Sequence, residues 1–320
     1  MRPPEFWRRD GGTARLLAPL GQAYALGARL RRRFTRAATA ALPVICIGNL
    51  VSGGAGKTPT AIAVAERLAA LGRRPVFLTR GYGGREAGPL LVDPARHDAE
   101  AVGDEALLLA RRHPTVLAHG RPAGAALAAQ AGDVVVMDDG FQNPTIEKTL
   151  SLLVIDAQQG LGNGRVLPAG PLRESAADGL ARAQAVVLIG EPAPALSAAL
   201  AAVPVLRATI AADGARLTGQ RLLAFAGIGR PEKFFTTLAA QGAELVACRS
   251  FPDHHRYRAG ELQALRQAAA AAKATLITTE KDLVRLDDAE RRDIAALPVR
   301  LILAEPARLD ALLRQALVHG

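Results

Sequence analysis

The run Val44-Ile45-Cys46-Ile47-Gly48-Asn49-Leu50-Val51-Ser52-Gly53-Gly54-Ala55-Gly56-Lys57-Thr58 decides the fold class of this 320-residue chain. Val44 to Ile47 is a continuous apolar run of the buried-strand type. A glycine-rich loop follows it, and then a helix from about Thr58 to Leu71, closed by Gly72. Glycines let successive backbone N–H groups turn inward on phosphate oxygens, and a helix N-terminus adds positive potential there. In such a loop Lys57 reaches the β and γ phosphates and the Thr58 hydroxyl binds Mg²⁺. The residues expected to hold a nucleotide are therefore Ser52, Gly53, Gly54, Ala55, Gly56, Lys57 and Thr58. Val51 stands where the usual pattern has glycine, so the match is to the Gly-Gly-x-Gly-Lys-Thr variant.

A phosphate loop needs an acidic partner for the metal at the end of a neighbouring strand. Val134-Val135-Val136-Met137-Asp138-Asp139-Gly140 supplies one: four apolar residues, then two carboxylates at the strand's C-terminal edge. The rest of the chain repeats the same plan. Apolar runs at Val76 to Leu78, Val116 to Ala118, Leu152 to Ile155 and Val186 to Ile189 alternate with Ala-rich helical stretches. This pattern predicts an α/β fold of the P-loop NTPase type, a mostly parallel sheet with helices on both faces.

Length exceeds what one hydrophobic core usually serves. Pro192, Pro194 and Pro204 punctuate the chain, after which strands at Leu222 to Ala226, Leu245 to Cys248, Leu276 to Thr278 and Val299 to Leu303 resume the alternation. The expected organisation is a basic amphipathic segment over 1–39, a nucleotide-binding unit over 40–205 and a smaller α/β unit over 206–320 that closes over the site.

The net charge of +10 is unevenly placed. Residues 1–40 hold nine arginines against Glu5 and Asp10, and the remainder is close to neutral. A general nucleic-acid surface is poorly supported, and no nucleic-acid partner is expected. The apolar stretch around Leu16, Leu17, Leu20, Tyr24 and Leu26 is too short to span a bilayer. Followed by Arg29, Arg31, Arg32 and Arg33, it suits an interfacial helix on an anionic surface or a basic helix packed on the body. Two cysteines, Cys46 and Cys248, give neither a disulfide framework nor metal-ligand spacing, in keeping with a reducing cytoplasm.

Two further constellations lack a local structural reason, Gly103-Asp104-Glu105 and Asp253-His254-His255. A histidine paired with a carboxylate across a cleft accepts a proton from a substrate hydroxyl, the base that a kinase requires.

Together with these, Arg80-Gly81-Tyr82-Gly83-Gly84, Asp138-Asp139-Gly140-Phe141-Gln142, Gly162-Asn163-Gly164-Arg165 and Pro168-Ala169-Gly170-Pro171-Leu172-Arg173-Glu174 occur in order. Ala224-Phe225-Ala226-Gly227-Ile228, Phe251-Pro252-Asp253-His254-His255 and Thr278-Thr279-Glu280-Lys281-Asp282 follow. From about Phe6 to Arg285 the chain resembles the tetraacyldisaccharide 4'-kinase family of Gram-negative bacteria. The resemblance implies transfer of the γ-phosphate of ATP, with Mg²⁺, to the 4'-hydroxyl of a lipid A disaccharide precursor, at the cytoplasmic face of the inner membrane. It implies Asp104 as base, assisted by His254 or His255, and a metal shell drawn from Thr58, Glu105, Asp138 and Asp139. Arg121, Arg173 and Glu174 would support the site, the arginines offering charge to the transferring group or to the lipid's phosphate. Phe6-Trp7-Arg8-Arg9 and the helix after it resemble the family's membrane-associating segment, and a monomer is expected.

The rival reading is a membrane-associated P-loop ATPase or GTPase switch of the partition or metal-insertion type. Such ATPases often carry lysine at the position of Ser52, and GTPases carry Asn/Thr-Lys-x-Asp. Here Thr279-Glu280-Lys281-Asp282 is out of register with that guanine motif. A simple basic tether leaves Lys57, Asp138 and Asp139 without a task.

Overall fold

The computed structural model describes residues 4–213 and 217–319. The apolar runs form strands: β1 Val44–Gly48, β2 Pro75–Thr79, β3 Leu90–Leu91, β4 Thr115–Leu117, β5 Val134–Asp138, β6 Leu150–Asp156 and β7 Ala185–Ile189. β8 Val205–Ala212, β9 Arg221–Ala226, β10 Glu244–Ser250, β11 Thr275–Thr279, β12 Ile294–Leu297 and β13 Val299–Leu303 complete them. The helices are α1 Gly12–Phe34, α2 Lys57–Ala70, α3 Ala99–Val102, α4 Asp104–Ala110, α5 Arg121–Ala128 and α6 Ala176–Leu180. After them come α7 Pro194–Ala199, α8 Pro231–Ala240, α9 Ala259–Ala271, α10 Glu280–Leu283 and α11 Pro306–His319.

Among the described residues the strands form two sheets, one of nine strands in the order β13-β8-β7-β6-β1-β5-β2-β4-β3 and one of four in the order β10-β9-β11-β12. Pairing is parallel from β8 through to β4, with antiparallel β13 and β3 at the two edges. The strand carrying the phosphate loop is flanked directly by β5 and β6, Ile47 lying opposite Asp138 on one side and Leu152 on the other. Side-chain alternation explains the layering. Ile45, Ile47, Val134, Val136, Leu152 and Val154 bury one face with α2, while Val44, Cys46, Val135, Met137, Leu153 and Ile155 bury the other.

The sheets divide the chain otherwise than at the expected boundary between 205 and 206. β8, β13 and α11, all expected in the smaller unit, build onto the nine-stranded sheet. Leu206, Ala208, Leu301 and Leu303 share one core with Leu309, Leu313 and Ala316 of α11 and with α2. The four-stranded sheet is drawn from residues between Arg221 and Leu297. Its two faces are covered by Phe234 and Leu238 of α8 and by Leu262, Leu265 and Ala269 of α9.

Helix α1 lies along the body on one face only. Ala14 and Gly21 are buried, and a Cβ at Gly21 would come within 2.8 Å of the Val166 carbonyl. At 3.6 residues per turn, Leu16, Leu20, Leu26, Leu30 and Phe34 fall on the opposite half of the helix with Tyr24 at its flank, and all are exposed. Trp7 Nε1 donates to the Pro168 carbonyl, and Asn163 binds the carbonyls of Phe6 and Trp7, so the segment before the helix is also tied down.

Candidate active site at the phosphate loop

The turn out of β1 is built by Asn49. Its buried amide donates to the carbonyls of Val51 and Gly53, curling the loop back on itself, and its Oδ1 lies 3.4 Å from Lys57 Nζ. Gly56 adopts φ 89°, in the left-handed region. A Cβ there would meet Ile189 at 2.5 Å, so only glycine lets the loop enter α2 at this point. Ser52 is fixed through its backbone, its N–H donating to the Pro171 carbonyl at 2.8 Å. Ala55 is buried, whereas Gly53 and Gly54 are exposed on the loop.

At the end of the next strand, Thr58 Oγ1 donates to Asp138 Oδ2 at 3.2 Å. Asp138 Oδ1 is buried without a partner. Burial, and then the negative charge of Glu105, push the Asp138 carboxyl well above the usual carboxylate range, with Lys57 opposing them. Asp139 behaves oppositely. Burial acts on it in the same sense, but Lys57 at 3.7 Å and Arg173 Nη1 at 2.9 Å outweigh that and hold it low. Asp139 itself sits at φ 52°, a costly conformation for a non-glycine residue and one that recurs at functional sites.

Among the described residues no group of three or more His, Cys, Asp or Glu side chains could hold a metal ion alone. Mg²⁺ seldom asks for one: it takes one or two protein oxygens and completes its shell with water and phosphate. An orphaned, deeply buried carboxylate oxygen beside a threonine hydroxyl, at the mouth of a phosphate loop, fits that demand. Of the other two carboxylates expected in the metal shell, Asp139 is engaged by Lys57 and Arg173. Glu105 Oε1 accepts from Lys281 Nζ at 3.0 Å.

Across from the loop, Asp104 begins α4. Gly103 before it has φ 85°, and a Cβ there would strike the Tyr82 carbonyl at 2.5 Å. Asp104 is buried and fully engaged. Oδ1 accepts from the Glu105 N–H, while Oδ2 accepts from Arg285 Nε at 2.8 Å and Nη2 at 2.5 Å and meets His254 Nδ1 at 2.9 Å. Burial alone would raise its carboxyl, but the His254 hydrogen bond, Lys281 and Arg285 together hold it well below the usual range. His254 comes from the four-stranded sheet's side of the cleft, with φ 59° and its ring 5.3 Å from that of Tyr82. The structure thus separates the two histidines. His255 faces away, with Nε2 2.9 Å from Glu261 Oε2 and its ring stacked on Phe251.

The remaining expected residues divide. Arg173 lies at the site through Asp139. Arg121, at the start of α5, is buried and donates to the Ala118 carbonyl at 3.1 Å. Burial draws it below the usual arginine range, with the charge of Asp138 partly offsetting this. Glu174 is buried and taken up by Arg32 of α1 at 2.9 Å, by Gln142 at 3.1 Å and by Arg182, so its immediate task is to clamp α1 to the body. Gln142 also donates to the Asn49 carbonyl, so α1 and the phosphate loop are joined through Glu174 and Gln142.

Sequence reasoning assigned no role to Asn49, Lys281 or Arg285. Arg285 is hard to pick out among so many arginines. Lys281 carried a usable signal, because lysine occurs only at 57, 148, 233, 273 and 281.

The model of the family described as tetraacyldisaccharide-1-P 4'-kinase matches residues 13–318. The chain belongs to this family. A tetraacyldisaccharide 4'-kinase of Methylobacterium sp. (strain 4-46) is 55% identical, with 98% of each chain covered. Another, of Rhodospirillum centenum, is 54% identical over 98% of this chain and 96% of its own. Among solved structures, LpxK from Aquifex aeolicus, in its "apo" form in complex with ATP, aligns with a TM-score of 0.76 at 25% identity. That alignment covers 95% of this chain and 99% of the other. Family membership makes the chain a phosphotransferase with an alcohol group as acceptor, and the fold is that of the family. The switch reading is not favoured.

Proposed function

We propose that this chain transfers the γ-phosphate of ATP to the 4'-hydroxyl of a tetraacyldisaccharide 1-phosphate, with Mg²⁺, at the cytoplasmic face of the bacterial inner membrane. One observation carries the reading: the phosphate-loop Thr58 is bonded to Asp138, while the buried Asp104 holds His254 at 2.9 Å and its neighbour Glu105 holds Lys281. Nucleotide grip and proton acceptor therefore share one cleft.

In this reading the loop amides from Ser52 to Gly56 and the Lys57 ammonium hold the triphosphate. Thr58 and Asp138 are the first choice for Mg²⁺, since Glu105 and Asp139 are engaged by Lys281 and by Lys57 and Arg173. The ion, when bound, supplies charge to the β and γ oxygens. Phosphoryl transfer asks little covalent work of a protein, so positioned charge dominates. Arg173, bonded to Asp139, and the buried Arg121 add to that charge, toward the transferring group or the lipid's phosphate.

The acceptor hydroxyl must lose a proton. Asp104 spends its Oδ2 lone pairs on Arg285 and His254, which suits it to orient the imidazole rather than to take the proton itself. His254 Nε2 is the better acceptor, in the manner of an aspartate-oriented histidine. Expulsion of water would follow from the four-stranded unit closing on the nine-stranded one, with Asp104–Arg285 and Glu105–Lys281 among the contacts between them.

Helix α1 is assigned to the anionic membrane surface. No described helix is long and apolar enough to cross a membrane. The outward half carrying Leu16, Leu20, Leu26, Leu30 and Phe34 supports immersion at the interface. The protein acts as a monomer in this reading. The deciding assay supplies γ-labelled ATP with either a lipid A precursor in mixed micelles or water alone. Label in the lipid is the expected result; release only as inorganic phosphate would overturn it.

A further inference from the structure

Lys281 reaches the cleft from α10, on the side of the four-stranded sheet. Its mount is firm. Thr279 caps α10 by accepting from the Asp282 N–H. The buried Asp282 accepts in turn from the Gly227 N–H, the Tyr257 hydroxyl and Arg285. From there Lys281 Nζ lies 3.0 Å from Glu105 Oε1 and 3.5 Å from His254 Nε2. One ammonium thus touches the carboxylate next to Asp104 and the free nitrogen of the histidine that Asp104 holds.

An ammonium has three protons and no lone pair, so it can only donate. The nitrogen facing it must therefore offer a lone pair. In a neutral imidazole the proton then sits on Nδ1, where Asp104 Oδ2 accepts it at 2.9 Å. Asp253 Oδ1 lies 3.8 Å from the same Nε2, beyond hydrogen-bond reach, and does not reverse this preference. Ring contact with Tyr82 and the left-handed backbone of His254 restrict the alternatives further.

We propose that Lys281 is a positioning residue for phosphoryl transfer: Asp104 sets the ring proton on Nδ1, and the Lys281 ammonium beside Nε2 keeps that nitrogen unprotonated while holding Glu105. The proposal deepens the reading of His254 as proton acceptor and rests on it for its effect on turnover. The tautomer itself does not depend on that reading. A compact, flexible donor suits a task with two acceptors at unequal distances, which a planar guanidinium fork would meet less well.

The test compares wild type with Lys281→Met and Lys281→Arg. The tautomer is read from ¹⁵N resonances of histidine-labelled protein without nucleotide or lipid, and kcat and the KM for ATP are read in the lipid assay. In Lys281→Met, Asp104 still accepts from Nδ1, but Nε2 should gain a proton, so His254 leaves the neutral Nδ1–H pattern for the doubly protonated ring. Its kcat should fall roughly tenfold to a hundredfold, as for other residues that orient a reacting group through a neighbour, with KM for ATP within about threefold of wild type. Lys281→Arg, which keeps a donor, should retain the wild-type tautomer and recover part of the rate. An unchanged Nδ1–H pattern in Lys281→Met overturns the proposal whatever the turnover, and so does a fall in kcat below about threefold. A His254→Gln variant separates the two ideas: normal turnover there removes the proton-acceptor role, while the tautomer result continues to report on Lys281.

Discussion

At the residue scale the site works by splitting like groups apart. Asp138 and Asp139 are adjacent, yet one carboxyl is raised by burial and Glu105 while the other is held low by Lys57 and Arg173. Pairs pushed apart in this way mark a division of labour. Lys57 is central because it faces both the Asn49 side-chain oxygen and Asp139. Replacing it by alanine removes a charge aimed at the transferring group. The expected loss is roughly a hundredfold to a thousandfold in kcat, about 3–4 kcal/mol of transition-state stabilisation. Steady-state transfer to the lipid acceptor measures it, and turnover near the wild-type value would refute the placement of the nucleotide. Lys57, Thr58 and the two aspartates were legible in sequence because a strand, a glycine loop and a scarce lysine are local signals. The choice between His254 and His255 was not. Neighbours in sequence, they point to Asp104 and Glu261 respectively, and the choice depends on a backbone turn at φ 59°.

At the element scale, hydrophobic runs identified most buried strands because a parallel strand covered on both faces is apolar throughout. The same logic failed at the chain's return. β8 and β13 alternate between buried and exposed residues, as an antiparallel edge pair does, and nothing local says which sheet they join. The shared apolar core settles it, and a long-range polar tie accompanies it: Arg67 of α2 donates to both carboxylate oxygens of Asp310 on α11. The hydrogen bond from Arg67 outweighs burial and holds the Asp310 carboxyl below its ordinary value of 3.8. The sign follows from that depression. The pair's contribution is complete above the unfolded value and is lost as pH falls through it and through the lower folded value. Asp310→Asn should therefore cost about 1 kcal/mol at pH 7, as a partly exposed bidentate pair does. Its denaturation midpoint should converge with that of wild type as pH falls below 3.8 and through the lowered folded value. Parallel melting curves across this range would show that α11 is held by its apolar residues alone.

At the scale of the whole molecule, the formal charge of the first forty residues overstates what is free to meet a membrane. Arg29 is paired with Asp178 and Arg32 with Glu174, and Arg31 donates to the Gln142 carbonyl. These bonds join α1 to the body next to the phosphate loop. The part left over is the apolar half of the helix, with Leu16 80% and Phe34 79% exposed. Immersion should accordingly rest more on leucine than on arginine. Each leucine entering the acyl boundary contributes about 1 kcal/mol or more. Replacing Leu16 and Leu20 with glutamate leaves the buried contacts of α1 intact and should lower partitioning onto vesicles of phosphatidylethanolamine and phosphatidylglycerol by roughly thirtyfold. Raising salt should weaken binding less than seven net charges would require, since Arg29 and Arg32 are already neutralised by Asp178 and Glu174. Co-sedimentation of the double variant equal to that of wild type, or binding abolished by moderate salt, would transfer the anchoring role from the apolar face of α1 to its unpaired arginines.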